Sequence, residues 1–386
     1  MSRQRAEESF RHVYGQPSDG QWSAPGRVNL IGEHTDYNEG FVLPFAIPQR
    51  TTVSVGRRID TTIRVHSADL GETVEMDLSE LAPEVLSGWS GYPLGVAWAL
   101  LDGHADLDSC QGVDIALASE VPLGAGLSSS AALESSVALA LNELWGIGLD
   151  RAELALVGQR AENTAVGAQT GIMDQMASVM GADRHAVFLD CRSLEHELIP
   201  CDLGPAGYAY VVIDTNTRHS HAGGEYGQRR ASCERAAATV GVGALRDLSL
   251  ADLPSLESQL DDETFRRARH IVSENDRVLA TIDALREGDL AQVGALLVAS
   301  HESMRDDFEI STAELDAQVE SAREMGALGA RMTGGGFGGS VIAIVATDRV
   351  EALTSAAQER AAREGMPAPT VSVVQPSDGA QSHWAQ

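Results

Sequence analysis

The chain is 386 residues long, 43% hydrophobic and 22% charged, with 28 basic residues against 56 acidic ones and a formal net charge of −28. That length buries a sizeable core and suggests two domains, while the charge repels nucleic acid and anionic membrane, so neither is expected as a partner. Every basic residue is arginine; the absence of lysine excludes the P-loop and protein-kinase routes to ATP, each of which places a lysine on the phosphates.

The first residues, 1–15, are polar, and no run of about 18 apolar residues occurs anywhere, so no signal peptide or membrane span is expected and the expected address is cytoplasmic. Period-two patterning predicts strands at Thr51–Val55, Thr61–Val65 and Val113–Ala118, and helical spacing follows at Ser129–Trp145, Arg151–Val166 and Ile172–Met180. Strands return at Ala186–Leu189 and Ala209–Ile213, and the polar, Gly- and Pro-bearing segment Pro200–Gly207 between them marks a boundary, giving domains 1–205 and 206–386. Arg218–Arg230, around Tyr226, reads as a strand end leading into a basic helix, and helix dominates from Glu225 to Arg323. The chain then returns to strand (Ala330–Met332, Val341–Val345), helix (Arg349–Arg363) and strand (Thr370–Val374). Cys110, Cys191, Cys201 and Cys233 form no CxxC pair, so neither a zinc site nor a disulfide framework is expected.

Three stretches carry chemistry. In Ala24–Tyr37 an apolar run separates Arg27 from Glu33-His34-Thr35-Asp36, a density of donors and acceptors that suits the adjacent hydroxyls of a sugar, although alone it also fits a solvated turn. In Pro122–Glu134 the glycines Gly124 and Gly126 and the run Ser128-Ser129-Ser130 open a helix, which resembles an anion cradle built from backbone N–H groups; an ordinary N-cap is the alternative. In Arg331–Ser340, five glycines within 334–339 sit between core strands, which points to close backbone approach rather than to a linker. Asp174 near a helix start and Glu162 beside the stripe Leu154, Gly158, Ala161 and Ala165 would each be half-buried; singly they fit a helix-dipole partner and a rim residue as well as a catalytic pair.

In this order and at these separations the three stretches resemble the signature set of the GHMP kinases, and Gly26–Tyr37, with Gly-Glu-His-Thr-Asp-Tyr, resembles the galactokinase signature within it. The resemblance covers nearly the whole chain and implies an α+β fold of two domains: a ribosomal-S5-like α/β domain that binds sugar and nucleotide, and a ferredoxin-like GHMP domain, with the active site in the cleft between them. It implies transfer of the γ-phosphate of ATP to the C1 hydroxyl of galactose, with Mg²⁺ as cofactor, and a monomer is expected. By resemblance, Glu33, His34, Thr35, Asp36, Gly171 and Tyr226 bind the sugar; Gly124, Ala125, Gly126, Leu127, Ser128, Ser129 and Ser130 hold the triphosphate, with Ser67 near the nucleotide; and Ser130 and Glu162 bind the metal. Asp174 is then the base toward the C1 hydroxyl, or the group that orients it, and Arg27 stabilises charge at the transferring phosphoryl group or lowers the pKa of that hydroxyl. Ser340 stands where a cysteine is common, and His221 replaces a usual small or aliphatic residue. A related kinase of N-acetylgalactosamine or another aldose is the nearest alternative. A non-catalytic galactose sensor is the other, and the complete serine run argues against it.

Overall fold

The computed structural model describes residues 1–218 and 222–384; His221 lies outside the described residues. Helix α1 (Ser2–Tyr14) buries Ala6 and Phe10 and leads into strands β1 (Gly20–Asn29), β2 (Phe41–Val42), β3 (Pro44–Arg57), β4 (Thr62–Ser67) and β5 (Glu72–Asp77). Helix α2 (Gly91–Gly103), strand β6 (Val113–Ser119) and helices α3 (Ser129–Trp145), α4 (Arg151–Arg160) and α5 (Met173–Met180) follow, then strands β7 (His185–Asp190), β8 (His196–Pro200) and β9 (Tyr208–Arg218). The helical stretch comprises α6 (Ala222–Val240), α7 (Leu253–Glu257), α8 (Asp262–Glu287), α9 (Leu290–Asp306) and α10 (Ala313–Glu324). Strands β10 (Gly329–Thr333) and β11 (Gly338–Ala346), helix α11 (Val350–Glu364) and strands β12 (Thr370–Val374) and β13 (Gln381–Trp384) end the chain.

The strands form a six-stranded sheet in the order β13-β1-β3-β6-β4-β5, a four-stranded sheet β10-β11-β9-β12 and a three-stranded sheet β2-β7-β8. The larger sheet packs α2 and α3 on one face, where Val53, Ile115, Leu94, Val137 and Leu141 are buried together. The four-stranded sheet buries Val211, Ile213, Val341 and Ala343 against α8 and α10 residues such as Ile271 and Leu315. A further cluster joins the halves, since Val28 of β1 and Leu30 just after it pack with Val278 of α8 and Ile342 of β11. The chain end returns to the first half: β13 pairs with β1, and Trp384 meets Trp22 edge-on at 5.0 Å with both indoles donating to Glu143.

The helix and strand patterns match their elements, with one local difference. The helix predicted over Arg151–Val166 is α-helical only to Arg160; from Ala161 to Val166 it widens into a π turn. Such turns re-aim side chains, and this one carries Glu162. Strand β1 shows no alternation because nine of its ten residues are buried, so both of its faces are covered. The four cysteines are free thiols, as their spacing implies.

Candidate active site

Strand β1 aims Arg27 by a bulge. Its register with β3 shifts between Pro25 and Arg27, and a Cβ on the intervening Gly26 would lie 2.5 Å from the Leu127 carbonyl, so only glycine allows this strand to touch the serine-rich loop. The Arg27 backbone N–H donates to that carbonyl at 3.1 Å. The guanidinium, 5% exposed, puts Nε and Nη2 on Asp174 Oδ1 at 2.8 and 2.7 Å and Nη1 on the Gly126 carbonyl at 2.6 Å. Asp174, on the first turn of α5, is 22% exposed, and its other oxygen accepts the Ser128 hydroxyl. The aspartate is thus held from two sides with one edge toward the cavity.

Ser128 decides between the two readings of the serine run. It occupies the N-cap position of α3 with a left-handed φ of 55°, yet its side chain makes no cap bond and goes to Asp174. The first N–H groups of α3 are therefore left uncapped and face the loop that contains Gly124 and Gly126, an arrangement suited to an anion. The second glycine-rich stretch abuts the first backbone to backbone: a Cβ on Gly334 would lie 3.0 Å from the Gly126 carbonyl, and Ser340 Oγ donates to the Ala125 carbonyl at 2.7 Å. This close approach is why glycine recurs there.

Glu162 is 5% exposed, more deeply placed than its sequence context suggests, because the π turn rotates it inward. Its Oε2 accepts from Thr170 Oγ1 at 2.8 Å and Gln175 Nε2 at 2.9 Å, and it lines the same cavity as Ser130. Burial, with Asp174 nearby, raises its pKa above the ordinary carboxylate value. Gln175 also donates to Glu134 at 2.9 Å, a fully buried carboxyl whose pKa is driven well up by burial and by Glu162.

The loop 32–41 forms the opposite wall. Glu33, 1% exposed, accepts the Gly334 N–H at 2.7 Å and meets Arg331 at 3.2 Å. His34 adopts a φ of 64°; Nδ1 accepts from the Tyr37 hydroxyl at 2.7 Å and Nε2 donates to the Gly335 carbonyl at 3.1 Å. Burial and the nearby His270 bring its pKa down to about 3, so the ring is neutral. Asp36 stands against Gly171, where a Cβ would overlap its carboxyl, and burial together with Asp174 pushes its pKa up to about 7. Tyr226 of α6 completes the wall 4.8 Å from the His34 ring.

Arg27, Glu33, His34, Asp36, Gly124, Gly126, Leu127, Ser128, Ser129, Ser130, Glu162, Gly171, Asp174 and Tyr226 thus line one cavity of about 290 Å³. Three expected residues differ. The Thr35 hydroxyl donates to the Gly32 and Phe41 carbonyls and is wholly buried, so it closes the loop rather than facing the cavity. Ala125 is also fully buried, its carbonyl taken by Ser340. Ser67 lines a separate, largely apolar cavity of about 270 Å³ with Trp89, Leu117, Leu123 and Leu133, which shares Ser129 with the first. Sequence reasoning missed Gln175, Glu134 and Arg331. Glu134 left a usable signal, a carboxylate in the apolar middle of a predicted helix; the other two left none.

Fold and cavity together define a GHMP kinase. The family model for the GHMP kinases N terminal domain matches residues 91–182, and that for the GHMP kinases C terminal matches residues 281–363. The galactokinase galactose-binding signature matches residues 8–57. A curated galactokinase from Streptomyces coelicolor is 52% identical over 377 residues, 97% of each chain, and one from Pasteurella multocida is 46% identical over 336 residues, 86% of each. The crystal structure of Lactococcus lactis galactokinase complexed with galactose superposes with a TM-score of 0.91 at 36% identity, covering 97% of this chain and 98% of that one. The chain belongs to the galactokinase family. A mevalonate kinase of Methanococcus jannaschii, 18% identical with a TM-score of 0.68 over 93% of this chain and 98% of its own, shares the fold alone.

Proposed function

We propose that the chain transfers the γ-phosphate of ATP to the C1 hydroxyl of D-galactose, giving galactose 1-phosphate and ADP. One observation carries this reading: the Arg27–Asp174 pair lies where the uncapped start of α3 meets the wall formed by Glu33, His34 and Asp36, within one cavity. Hydroxyls of the sugar meet Glu33, His34, Asp36, the Gly171 backbone and Tyr226, while backbone N–H groups of Gly124–Ser130 cradle the phosphates. The apolar cavity beside Ser129 suits the purine, which puts Ser67 and Trp89 at the nucleotide base.

Asp174, held by Arg27 and Ser128, presents a carboxylate of fixed orientation to the C1 hydroxyl. It turns the hydroxyl in line with the γ-phosphorus and takes its proton as the new P–O bond forms. Arg27 stabilises the charge on the phosphoryl group in flight, since a guanidinium already pinned by Asp174 and Gly126 needs no reorganisation. Ser130 and Glu162 fit Mg²⁺: both present oxygens to the same cavity, and a hard cation that keeps waters and takes phosphate oxygens needs no more than two such ligands. When bound, the ion neutralises phosphate charge. Among the described residues no group of three or more His, Cys, Asp or Glu is arranged to hold a metal ion, and no helix is long and apolar enough to cross a membrane. We also read the chain as a cytoplasmic monomer divided near residue 205.

The test is Asp174→Asn, which keeps the volume and a hydrogen bond but cannot accept the proton. Turnover should fall by roughly 10²–10⁴-fold with galactose affinity and melting temperature little changed. An active enzyme with a lowered melting temperature would make Asp174 a helix-dipole partner and nothing more.

A further inference from the structure

The loop 32–41 has little order of its own. Before β2 begins at Phe41 its one regular element is a short turn at Asp36–Asn38, and it carries left-handed backbone at His34 and Glu39, conformations that persist only where the surroundings hold them. Helix α8, more than 230 positions away in sequence, holds both of its ends. Glu274 Oε1 accepts the Gly32 N–H at 3.0 Å, His270 Nε2 donates to the Glu33 carbonyl at 3.2 Å, and Asn275 Oδ1 accepts the Phe41 N–H at 2.9 Å. Two of these bonds grip the loop where it begins and the third where it ends.

The three side chains share one face of α8, at positions i, i+4 and i+5, and each is at least 95% buried. The contact is close: a Cβ on Gly40 would overlap Asn275 Oδ1, and one on Gly32 would lie 3.0 Å from Val278 Cγ2. Two members of the grip are anchored in turn by their own partners. Glu274 is satisfied by Arg277 at 2.6 Å and Ser300 at 2.7 Å besides Gly32, and His270 Nδ1 accepts the Ser303 hydroxyl at 2.9 Å. Burial keeps His270 neutral, with its pKa down at about 4, and because the Glu33 carbonyl can only accept, the ring proton sits on Nε2.

We propose that His270, Glu274 and Asn275 are positioning residues that set sugar affinity and discrimination by clamping both ends of the loop that carries Glu33, His34 and Asp36. The proposal rests on the reading that this loop holds the sugar. Discriminating one hydroxyl orientation from another needs donors and acceptors fixed to a fraction of an ångström, and here that precision is supplied by the helix beneath. None of the three residues lines the sugar cavity, so each acts only through the loop.

The test uses the purified full chain with His270→Leu, Asn275→Ala and the conservative His270→Gln, whose amide nitrogen stands close to the place of Nε2. Galactose affinity without nucleotide, the galactose-to-glucose ratio of kcat/KM, KM for ATP and melting temperature are measured on each. His270→Leu and Asn275→Ala should weaken galactose binding by about tenfold and narrow the sugar ratio, with KM for ATP within about twofold of the parent, and His270→Gln should restore most of the loss. Unchanged sugar affinity and ratio in both variants would overturn the clamp, as would a loss that His270→Gln does not repair, or a parallel loss of ATP and sugar binding that tracks melting temperature. Asp36→Asn is measured alongside: if it too leaves galactose binding unaltered, the sugar-loop reading fails and the clamp with it, whereas an effect at Asp36 with none at α8 overturns the clamp alone.

Discussion

Gly171→Ala should cripple the enzyme without unfolding it. A Cβ on Gly171 falls on the Asp36 carboxyl: the farther oxygen would lie 2.8 Å away, and the nearer oxygen and Cγ overlap outright. Ordinary contact starts at 3.4 Å, so the carboxyl must retreat by about 1 Å or more. Gly171 is not among the glycines with left-handed φ, so alanine brings no backbone strain. The atom in the way is the end of a side chain at a cavity wall, which can swing aside, so the fold absorbs the change and the site does not. A misplacement of this size costs about 10²-fold, and that is the expected fall in kcat/KM for galactose. Coupled ADP-release kinetics over a galactose series, with KM for ATP and a thermal melt on the same sample, would check it. Retained kcat/KM would refute the placement of Asp36 against the sugar, and an equal loss on the ATP side would refute the separation of the two halves of the cavity.

Two further outcomes follow from the carboxylates. Asp36, pushed up to about 7 from an ordinary value of 3.8, holds a proton in the folded protein that the unfolded chain has released between about pH 4 and 7, so stability falls as pH rises through that window. Asp36→Asn removes this cost: its melting temperature should exceed the parent's at pH 8 and converge with it near pH 4, while galactose binding weakens, and a difference independent of pH would contradict the assignment. Glu162→Gln should raise the Mg²⁺ concentration needed for half-maximal rate and leave nucleotide-free galactose binding nearly intact. An unchanged magnesium titration would return Glu162 to a structural role.

What was legible in the sequence was local. Periodicity sufficed for α3 and for the strands at Val113–Ala118 and Thr370–Val374, whose observed bounds match the predicted ones to within a residue. It failed at β1, buried on both faces, and at the π turn, whose six residues keep a helical pattern while rotating Glu162. The absence of lysine and the glycines around Ser128 pointed to a backbone anion cradle, yet sequence left open whether Ser128 capped the helix. Only its bond to Asp174, 46 residues on, decides that. Thr35 and Ala125 sit inside motifs whose neighbours face the cavity, and motif membership cannot tell an inward side chain from one that closes the loop. The support from His270, Glu274 and Asn275 was invisible for the same reason, since nothing in a helical pattern shows which distant loop it carries.

The most direct test of the account is turnover of the purified chain with galactose and with glucose under identical Mg·ATP, with the product identified by its phosphorus resonance. Glucose differs in the orientation of one hydroxyl, at C4, and a buried polar group left without its partner costs roughly 1–3 kcal/mol. Galactose 1-phosphate should form, with glucose slower in kcat/KM by at least about tenfold. Equal turnover of the two sugars, or phosphate on any oxygen but that of C1, would contradict it.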